Sequence, residues 1–187
     1  MAILPVTVYG DKILRKKVDR VKDVDFKTIE LIKDMFDTMR NSNGIGLAAN
    51  QVGVNKSIFV IDISIVEGYE NYKPLAVINP EITFRSEEKV YMEEGCLSIP
   101  DVRHEVERPK KIIIKYYDSD MKEQILEADQ LLARVIQHEF DHLQGILFID
   151  YFDNKAKKEF RNILNKIKNR DIDIEYPITD DINYQLT

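Results

Sequence analysis

The chain has 187 residues, which is long enough for one sizeable hydrophobic core and short for two domains. Hydrophobic residues make up 44% of it and charged residues 32%, so the composition excludes a disordered chain and favours a globular one. The formal net charge of -6 disfavours binding of the whole chain to DNA. No apolar stretch approaches the roughly 20 residues of a membrane span, so no membrane association is expected.

The first half of the chain predicts an arm, a helix and three short strands. Residues 1–24 are expected to form an extended arm without the pattern of a secretory signal. A helix begins with Asp25 as its N-cap, because apolar residues then recur at helical spacing, and it ends at the polar run 41–44. Residues 44–51 predict a Gly-containing loop. Strands are predicted at 57–63, 75–79 and 81–92, with a break at Asn79-Pro80.

The second half predicts a hairpin, two helices and an acidic tail. Residues 93–100 are expected to form a loop or an edge segment. Strands follow at 101–107 and 111–117, and a turn at 118–120 leads into a partner strand at 122–127. Asp129 is the predicted N-cap of a second helix with a broad apolar face, and Gly145 ends it. A last helix is predicted over 153–170.

This order of elements predicts an α+β fold with mainly antiparallel strands packed around the second helix, and a C-terminal helix. We expect residues 1–170 to form a single domain. Residues 171–187 carry five acidic and no basic residues, and they are expected to form a separate tail. That tail either holds a short strand over 172–176 or has no regular structure.

The second helix carries H-E-F-D-H at 138–142, a pattern that uses two of the three histidines. Residues four apart lie on one face of a helix, so His138 and His142 can bind one metal ion. Glu139 is then placed to act as a general base on a water molecule. The pattern predicts a metal-dependent hydrolase and leaves the third ligand open. Asp141 is either a group that orients a ligand or an ordinary solvated helix residue.

Several residues are candidates for the third metal ligand. The extended pattern that adds a third histidine fails, because its last position is Phe148. Glu159 and Glu175 lie downstream, but neither has a distinctive sequence context. Cys96 is the stronger candidate, since a thiolate and two imidazoles form a three-ligand site with one open position, and Gly95 beside it allows a close approach of the backbone. A thiolate brings Fe(II) into consideration beside Zn(II).

With Cys96 included, three segments of the chain resemble the peptide deformylase family. They are G-I-G-L-A-A-N-Q at 44–51, E-G-C-L-S at 94–98 and H-E-F-D-H at 138–142. Their order matches the family's G-Φ-G-Φ-A-A-x-Q, E-G-C-Φ-S and H-E-Φ-D-H, where Φ is apolar, and the resemblance covers residues 1–168. The chain departs from the pattern at Asn50, where many members carry Pro or Thr, and in its acidic tail.

The resemblance implies removal of the formyl group from the initiator formyl-methionine of nascent polypeptides, in the cytoplasm or in an organelle of bacterial descent. It implies one divalent metal ion, natively Fe(II) in many members, with Zn(II), Ni(II) or Co(II) as alternatives. The implied ligands are Cys96, His138 and His142, and the implied base is Glu139. The oxyanion would be held by the side chain of Gln51, the backbone N–H of Leu97 and the metal.

The resemblance also places a methionine pocket and a second partner. The pocket residues that it implies are Ile45, Gly46, Leu131, Val135 and His138. In some family members the last helix binds the ribosome, and here that helix is basic; its cationic residues are Lys155, Lys157, Lys158, Arg161, Lys166, Lys168 and Arg170. An ordinary solvated face explains the same charges.

Two other functions stay open from the residues alone. One is a zinc metallopeptidase with a downstream Glu ligand, and the other is a metal-binding module without catalysis. Arg103 and Arg108 either contact the substrate, pair with Glu94 or are ordinary surface charges. His104 is predicted to be exposed.

Overall fold

A computed structural model of the protein describes residues 2–186. The α-helices in this part of the chain are α1 (Phe26–Asn41), α2 (Gln130–Leu143), α3 (Asn154–Glu159) and α4 (Arg161–Lys168). The strands are β1 (Gly46–Ala48), β2 (Ile58–Ile61), β3 (Leu75–Arg85), β4 (Lys89–Cys96), β5 (Ile99–Pro109), β6 (Lys111–Tyr117) and β7 (Glu123–Asp129). Short 3-10 turns span Lys12–Arg15, Ala49–Val52 and Phe148–Tyr151. None of the described helices is long and apolar enough to cross a membrane.

Five strands form an antiparallel sheet in the order β1-β2-β3-β6-β7, with a helix on each face. All four residues of β2 are buried, because successive side chains of a strand point to opposite faces and both faces of this sheet are covered. Ile58 and Val60 pack in one core cluster with Met35 and other residues of α1. Phe59 packs on the other side, in the cluster that α2 shares. The predicted α+β fold with mainly antiparallel strands is confirmed.

A second sheet, the β4–β5 hairpin, is joined to α2 by side-chain hydrogen bonds. The guanidinium group of Arg134 donates to the carbonyl oxygens of Val90 and Val106, both at 2.7 Å. Gln137 donates to the carbonyl oxygen of Pro109 at 3.0 Å. These hydrogen bonds tie the helix to both strands of the hairpin. The helix that carries the H-E-x-x-H pattern is therefore central, as the sequence predicts.

The start of α1 and the end of α2 lie where the sequence predicts them. Asp129 occupies the predicted N-cap position of α2, but its side chain makes no capping hydrogen bond. The carboxylate of Asp25 accepts a hydrogen bond from Thr28 N at 2.8 Å, which satisfies a backbone donor in the first turn of α1. After α2 the chain turns at Gly145 with φ of 75°. A Cβ atom there would lie 2.7 Å from the carbonyl oxygen of Arg15, so the position requires glycine for its packing as well as for its φ.

The structure corrects two of the predicted strands. The predicted break at Asn79-Pro80 is wrong, because β3 continues through these two residues. The pairing of β3 with β6 shifts in register between Ile78 and Glu81, where the two residues lie. A proline is tolerated at such a bulge, where it need not donate a ladder hydrogen bond. The strand predicted over 81–92 is also wrong, since a turn at 86–88 separates β3 from β4.

The prediction of a single last helix over 153–170 is wrong, because this segment divides into α3 and α4 at Phe160. The Phe160 ring packs on Phe152, with 5.4 Å between ring centroids, and on His104 at 5.9 Å. His104 is accordingly half-buried and not exposed as predicted. Aromatic packing between the hairpin and the C-terminal helices therefore explains both corrections.

The acidic tail folds back onto the N-terminal arm. Residues 172–176 form no strand, and the β-bridge of the tail instead pairs Val6 with Ile178 in parallel. Two residues that flank the segment 171–177, Arg170 before it and Thr179 after it, both donate hydrogen bonds to the buried carboxylate of Asp11. The segment 171–177, which we call the strap, is thus held at both ends.

Candidate active site

Side chains from two distant parts of the chain meet at the bottom of a cleft. Cys96 ends β4, whereas His138 and His142 lie about one turn apart on α2. Their ligand atoms all lie within 4.8 Å of one another, and Cys96 Sγ is 3.2 Å from His142 Nε2. Within residues 2–186 these three form the one group of His, Cys, Asp or Glu residues close enough to hold a metal ion. The structure brings the three predicted ligands together.

Glu94 orients His138 from behind the site. Its Oε2 lies 2.9 Å from His138 Nδ1, which leaves Nε2 of that ring available to a metal. Arg108 donates to the same carboxylate through Nε at 2.6 Å and Nη2 at 3.0 Å. Burial disfavours the charged carboxylate, but the hydrogen bonds from His138 and Arg108 outweigh it and hold the pKa of Glu94 well below its usual range.

Two further charged residues complete this arrangement. Arg134 Nη1 donates to Glu94 Oε1 at 2.7 Å, and Arg108 Nη1 donates to Asp141 Oδ2 at 2.6 Å. The hydroxyl of Tyr151 donates to the same Asp141 oxygen at 2.8 Å. We call Glu94, Arg108, Arg134 and Asp141 the buried charge cluster, since none of them is more than 9% exposed. Asp141 therefore orients other groups and is not a solvated helix residue.

Gln51 points its amide group at Cys96, one of the three predicted metal ligands. Its Oε1 accepts from Ala48 N at 2.8 Å, which fixes the side chain. Its Nε2 then lies 3.5 Å from Cys96 Sγ and 3.1 Å from Ser98 Oγ. Leu97 lies between those two residues and lines the same cleft. The two predicted oxyanion donors therefore both lie next to the cysteine.

Glu139 is buried beside His138, and its Oε2 has no hydrogen-bond partner among the described residues. Burial raises the pKa of Glu139 to about 7, so its carboxyl group can both accept and release a proton near neutral pH. Gly46 leaves the space that this carboxyl group needs. A Cβ atom on Gly46 would contact the carboxylate of Glu139 and would lie 2.9 Å from Val135 Cγ1.

The cleft has a volume of about 610 Å³ and contains every predicted pocket residue. Its lining includes Ile45, Gly46, Leu131, Val135, His138 and Glu139 together with Gln51, Cys96 and Leu97. His142 lies behind this lining and is 1% exposed. The apolar side chains lie beside the polar groups, as a site for an apolar residue next to a reacting carbonyl group requires.

The side chains at the bottom of the cleft fit a divalent transition-metal ion. One thiolate and two imidazoles form a three-ligand set that leaves a position for water. Burial lowers the pKa of His142 well below its usual range, whereas the burial of His138 is outweighed by its hydrogen bonds to Cys96 and Glu94, which raise the pKa of that ring. A metal held by these side chains would take the place of the proton on His138. The unpartnered Glu139 Oε2 is a buried acceptor beside this set, which is where a base for a water molecule is needed.

Residues 3–158 match the sequence family described as polypeptide deformylase. The chain belongs to this family. The peptide deformylase of Chlorobium phaeobacteroides is 47% identical over 180 residues, which are 94% of this chain and 95% of that protein. The peptide deformylase of Salinibacter ruber is 45% identical over 183 residues and covers 94% of each chain.

Solved deformylase structures share the fold over most of the chain. The peptide deformylase of Ehrlichia chaffeensis in complex with actinonin has a TM-score of 0.83 and 39% identity, and the match covers 92% of this chain and 100% of that one. The Thermotoga maritima peptide deformylase has a TM-score of 0.76 and 40% identity, with 82% and 99% covered. The chain is thus an enzyme of this family and a metal-dependent hydrolase.

Family membership decides against the two alternative functions. A metallopeptidase would take Glu159 or Glu175 as its third ligand, and neither carboxylate belongs to the group of three side chains that lie close together. Glu159 is exposed on α3, and Glu175 lies at the mouth of the cleft. The enzyme family also excludes a module without catalysis.

Several residues around the site are absent from the sequence predictions. Arg134 is one of them, although an arginine on the buried face of an apolar helix is a signal that an acidic partner lies nearby. Ser98 is another, and its position inside E-G-C-L-S was the available signal. Tyr176 had no signal, because its contact depends on how the tail folds back. Of the two arginines left open, Arg108 pairs with Glu94, whereas Arg103 forms an exposed pair with Glu93 at 3.5 Å.

Proposed function

We propose that this deformylase removes the N-formyl group from the initiator formyl-methionine of nascent polypeptides and releases formate. The observation that carries the proposal is the unpartnered Glu139 carboxyl group, buried beside a cluster of one cysteine and two histidines at the bottom of the cleft. A formamide is hydrolysed at neutral pH only with an activated water, and this arrangement provides a base and a place for a Lewis acid.

The residues of the chain have separate roles in this reaction. Cys96, His138 and His142 hold the metal, which when bound acts as a Lewis acid and lowers the pKa of water. Glu139 accepts a proton from the attacking water and later gives it to the departing amine, for which a pKa of about 7 is well suited. Gln51 Nε2 donates a hydrogen bond to the developing oxyanion, and a single such donor contributes about 3 kcal/mol to transition-state stabilisation.

The backbone N–H of Leu97 is the proposed second donor to the oxyanion. The methionine side chain enters the apolar part of the cleft formed by Ile45, Leu131, Val135 and the ring of His138. The peptide then lies extended along β1, next to Gly46, and adds to the sheet like a strand. Residues 1–170 form the catalytic domain in this proposal, and residues 171–187 form a tail packed against it.

The thiolate ligand supports Fe(II) as the native metal, with Zn(II), Ni(II) and Co(II) as ions that the same ligands accept. We propose that the enzyme acts in the cytoplasm, where nascent chains are available. The exposed cations of α3 and α4 support docking to ribosomal RNA. Pelleting with ribosomes should then decrease steeply between low and high salt, because phosphate contacts release counterions. Salt-independent pelleting would contradict electrostatic docking.

Substitution of one ligand and of the base tests the proposed function. The enzyme is purified without oxygen, because Fe(II) and a thiolate are both oxidisable. Its metal content is measured, and it is assayed on formyl-Met-Ala-Ser. We expect Cys96→Ala to lose the metal. We expect Glu139→Gln to retain the fold and metal, with turnover about 10²- to 10⁴-fold lower.

Each variant has an outcome that opposes the proposal. Near-full turnover by Glu139→Gln shows that Glu139 is not the base. Metal retained by Cys96→Ala at the wild-type level shows that Cys96 is not a ligand. Ser98→Ala serves as a control for local disturbance, because this side chain contacts Gln51 and is not one of the three proposed ligands.

A further inference from the structure

The strap lies along the catalytic cleft, although nothing in the family motifs includes it. Residues 173–176 line the same cleft as Cys96 and Glu139. The strap is held beyond both of its ends, by Arg170 on Asp11 and by the bridge between Val6 and Ile178. It therefore contributes a wall to the cleft and is not a loose terminus.

Tyr176 fastens the strap to the segment that carries the cysteine. Its hydroxyl donates to the carbonyl oxygen of Leu97 at 2.7 Å. Burial raises the pKa of Tyr176 well above its usual range, so the hydroxyl remains protonated and can donate. Ile172 packs in the same core cluster as Ile99 of β5. The position of the strap is thus fixed relative to the proposed reaction centre.

The charges that the strap brings to the cleft are negative. Asp173 and Glu175 are exposed, and neither forms an ion pair within residues 2–186. Asp101, also exposed, lines the same cleft. The exposed cation in the described lining is Arg103, and its pair with Glu93 offsets its charge. A peptide that leaves the cleft along this side meets a field of one sign.

We propose that the strap is a specificity element of the peptide-binding cleft. In this role, Asp173 and Glu175 favour substrates that carry Lys or Arg in the residues following formyl-methionine. An extended peptide advances about 3.3 Å per residue, so the residues after the methionine reach the mouth of the cleft where the strap lies. The inference rests on the proposed deformylase function, and it concerns which formyl-methionyl peptides that site prefers.

Paired peptides that differ in one side chain, lysine or glutamate, test the strap separately from the chemistry. The metal-loaded enzyme is assayed at low and high salt on formyl-Met-Ala-Lys, formyl-Met-Ala-Glu and the longer pair formyl-Met-Ala-Ser-Lys and formyl-Met-Ala-Ser-Glu. We expect kcat/KM to favour lysine over glutamate about three- to tenfold in at least one pair at low salt, and less at high salt, because exposed charges are screened. Turnover of neutral formyl-Met-Ala-Ser by the unaltered enzyme tests the proposed function by itself.

Two double variants of equal charge change locate the effect. Asp173→Asn with Glu175→Gln should bring the lysine-to-glutamate ratio close to one. Asp180→Asn with Asp181→Asn changes the same tail outside the cleft lining and should leave the ratio unchanged. The inference is overturned if the unaltered enzyme shows no preference at low salt, if the strap variant keeps the preference, or if both double variants reduce it equally.

Discussion

The buried charge cluster and the strap approach the three proposed metal ligands from opposite sides, one buried and the other exposed to solvent. Behind the ligands, Glu94 and Arg108 are 5% and 3% exposed, and their charged groups meet through several hydrogen bonds. In front, Asp173 and Glu175 face the solvent without ion pairs among the described residues. The same kinds of side chain therefore have different tasks on the two sides.

The difference follows from solvation. A buried ion pair gains little net stability, because both charges lose water, but removal of one partner leaves the other charge buried and uncompensated. Such charges fix positions, since each must remain where its partner is. An exposed carboxylate keeps its hydration when the protein folds. Its field acts on a passing ligand through water, where dissolved salt weakens it. We therefore expect large effects on stability and metal binding behind the ligands, and small effects in front of them.

Removal of the central guanidinium group should have the largest effect. Arg108→Met leaves Glu94 and Asp141 as buried carboxylates without this partner. We expect the free energy of unfolding to fall by about 3–5 kcal/mol, measured by urea denaturation of the metal-free protein. The control is Arg103→Met on the same strand, whose exposed pair with Glu93 should contribute at most about 1 kcal/mol. Equal losses in the two variants would refute the contrast between buried and exposed charges.

Substitution of Glu94 should have the next largest effect, and this effect should be on metal affinity. Glu94→Gln keeps the shape of the side chain but removes the carboxylate that accepts from His138 Nδ1. Substitution of a group that orients a metal ligand in this way typically lowers metal affinity about 10- to 100-fold. We expect a loss of that size, measured in competition with a chelator. Glu93→Gln, one residue earlier and exposed, is the matched control and should bind metal as the unaltered enzyme does. A retained affinity in Glu94→Gln would show that His138 needs no negatively charged partner at Nδ1.

Local sequence patterns predict the parts of the molecule that local interactions determine. The cap on α1 at Asp25, the β6–β7 hairpin and the end of α2 at Gly145 agree with prediction, because each depends on residues close in sequence. The meeting of Cys96 with the two histidines is non-local. Its prediction came from the need for a third ligand and from Gly95 beside the cysteine, and the resemblance to a known family supported it.

Long-range packing decided the features that prediction missed. Pro80 is an ordinary strand breaker in sequence, yet pairing with β6 takes it into a bulge of β3. Arg134 finds its acidic partner 40 residues away in the chain. The tail has an acidic composition typical of a solvated segment, and its position depends on Asp11 near the other end of the chain.

Removal of the Tyr176 hydroxyl should have the smallest of the three effects, and the effect should be confined to the strap. Tyr176→Phe removes the hydrogen bond to the Leu97 carbonyl oxygen and leaves the ring in place. A hydrogen bond of this kind contributes about 1 kcal/mol, so opening of the strap should become about fivefold more frequent. Hydrogen exchange at the amides of Val6 and Thr179 reports this opening, because those amides bond across the bridge at 2.8 Å and 3.0 Å. The matched control is Tyr184→Phe in the same tail, whose hydroxyl makes no hydrogen bond within residues 2–186. If both variants exchange at the wild-type rate, the hydroxyl of Tyr176 does not hold the strap, and its position must then come from the contacts at its two ends.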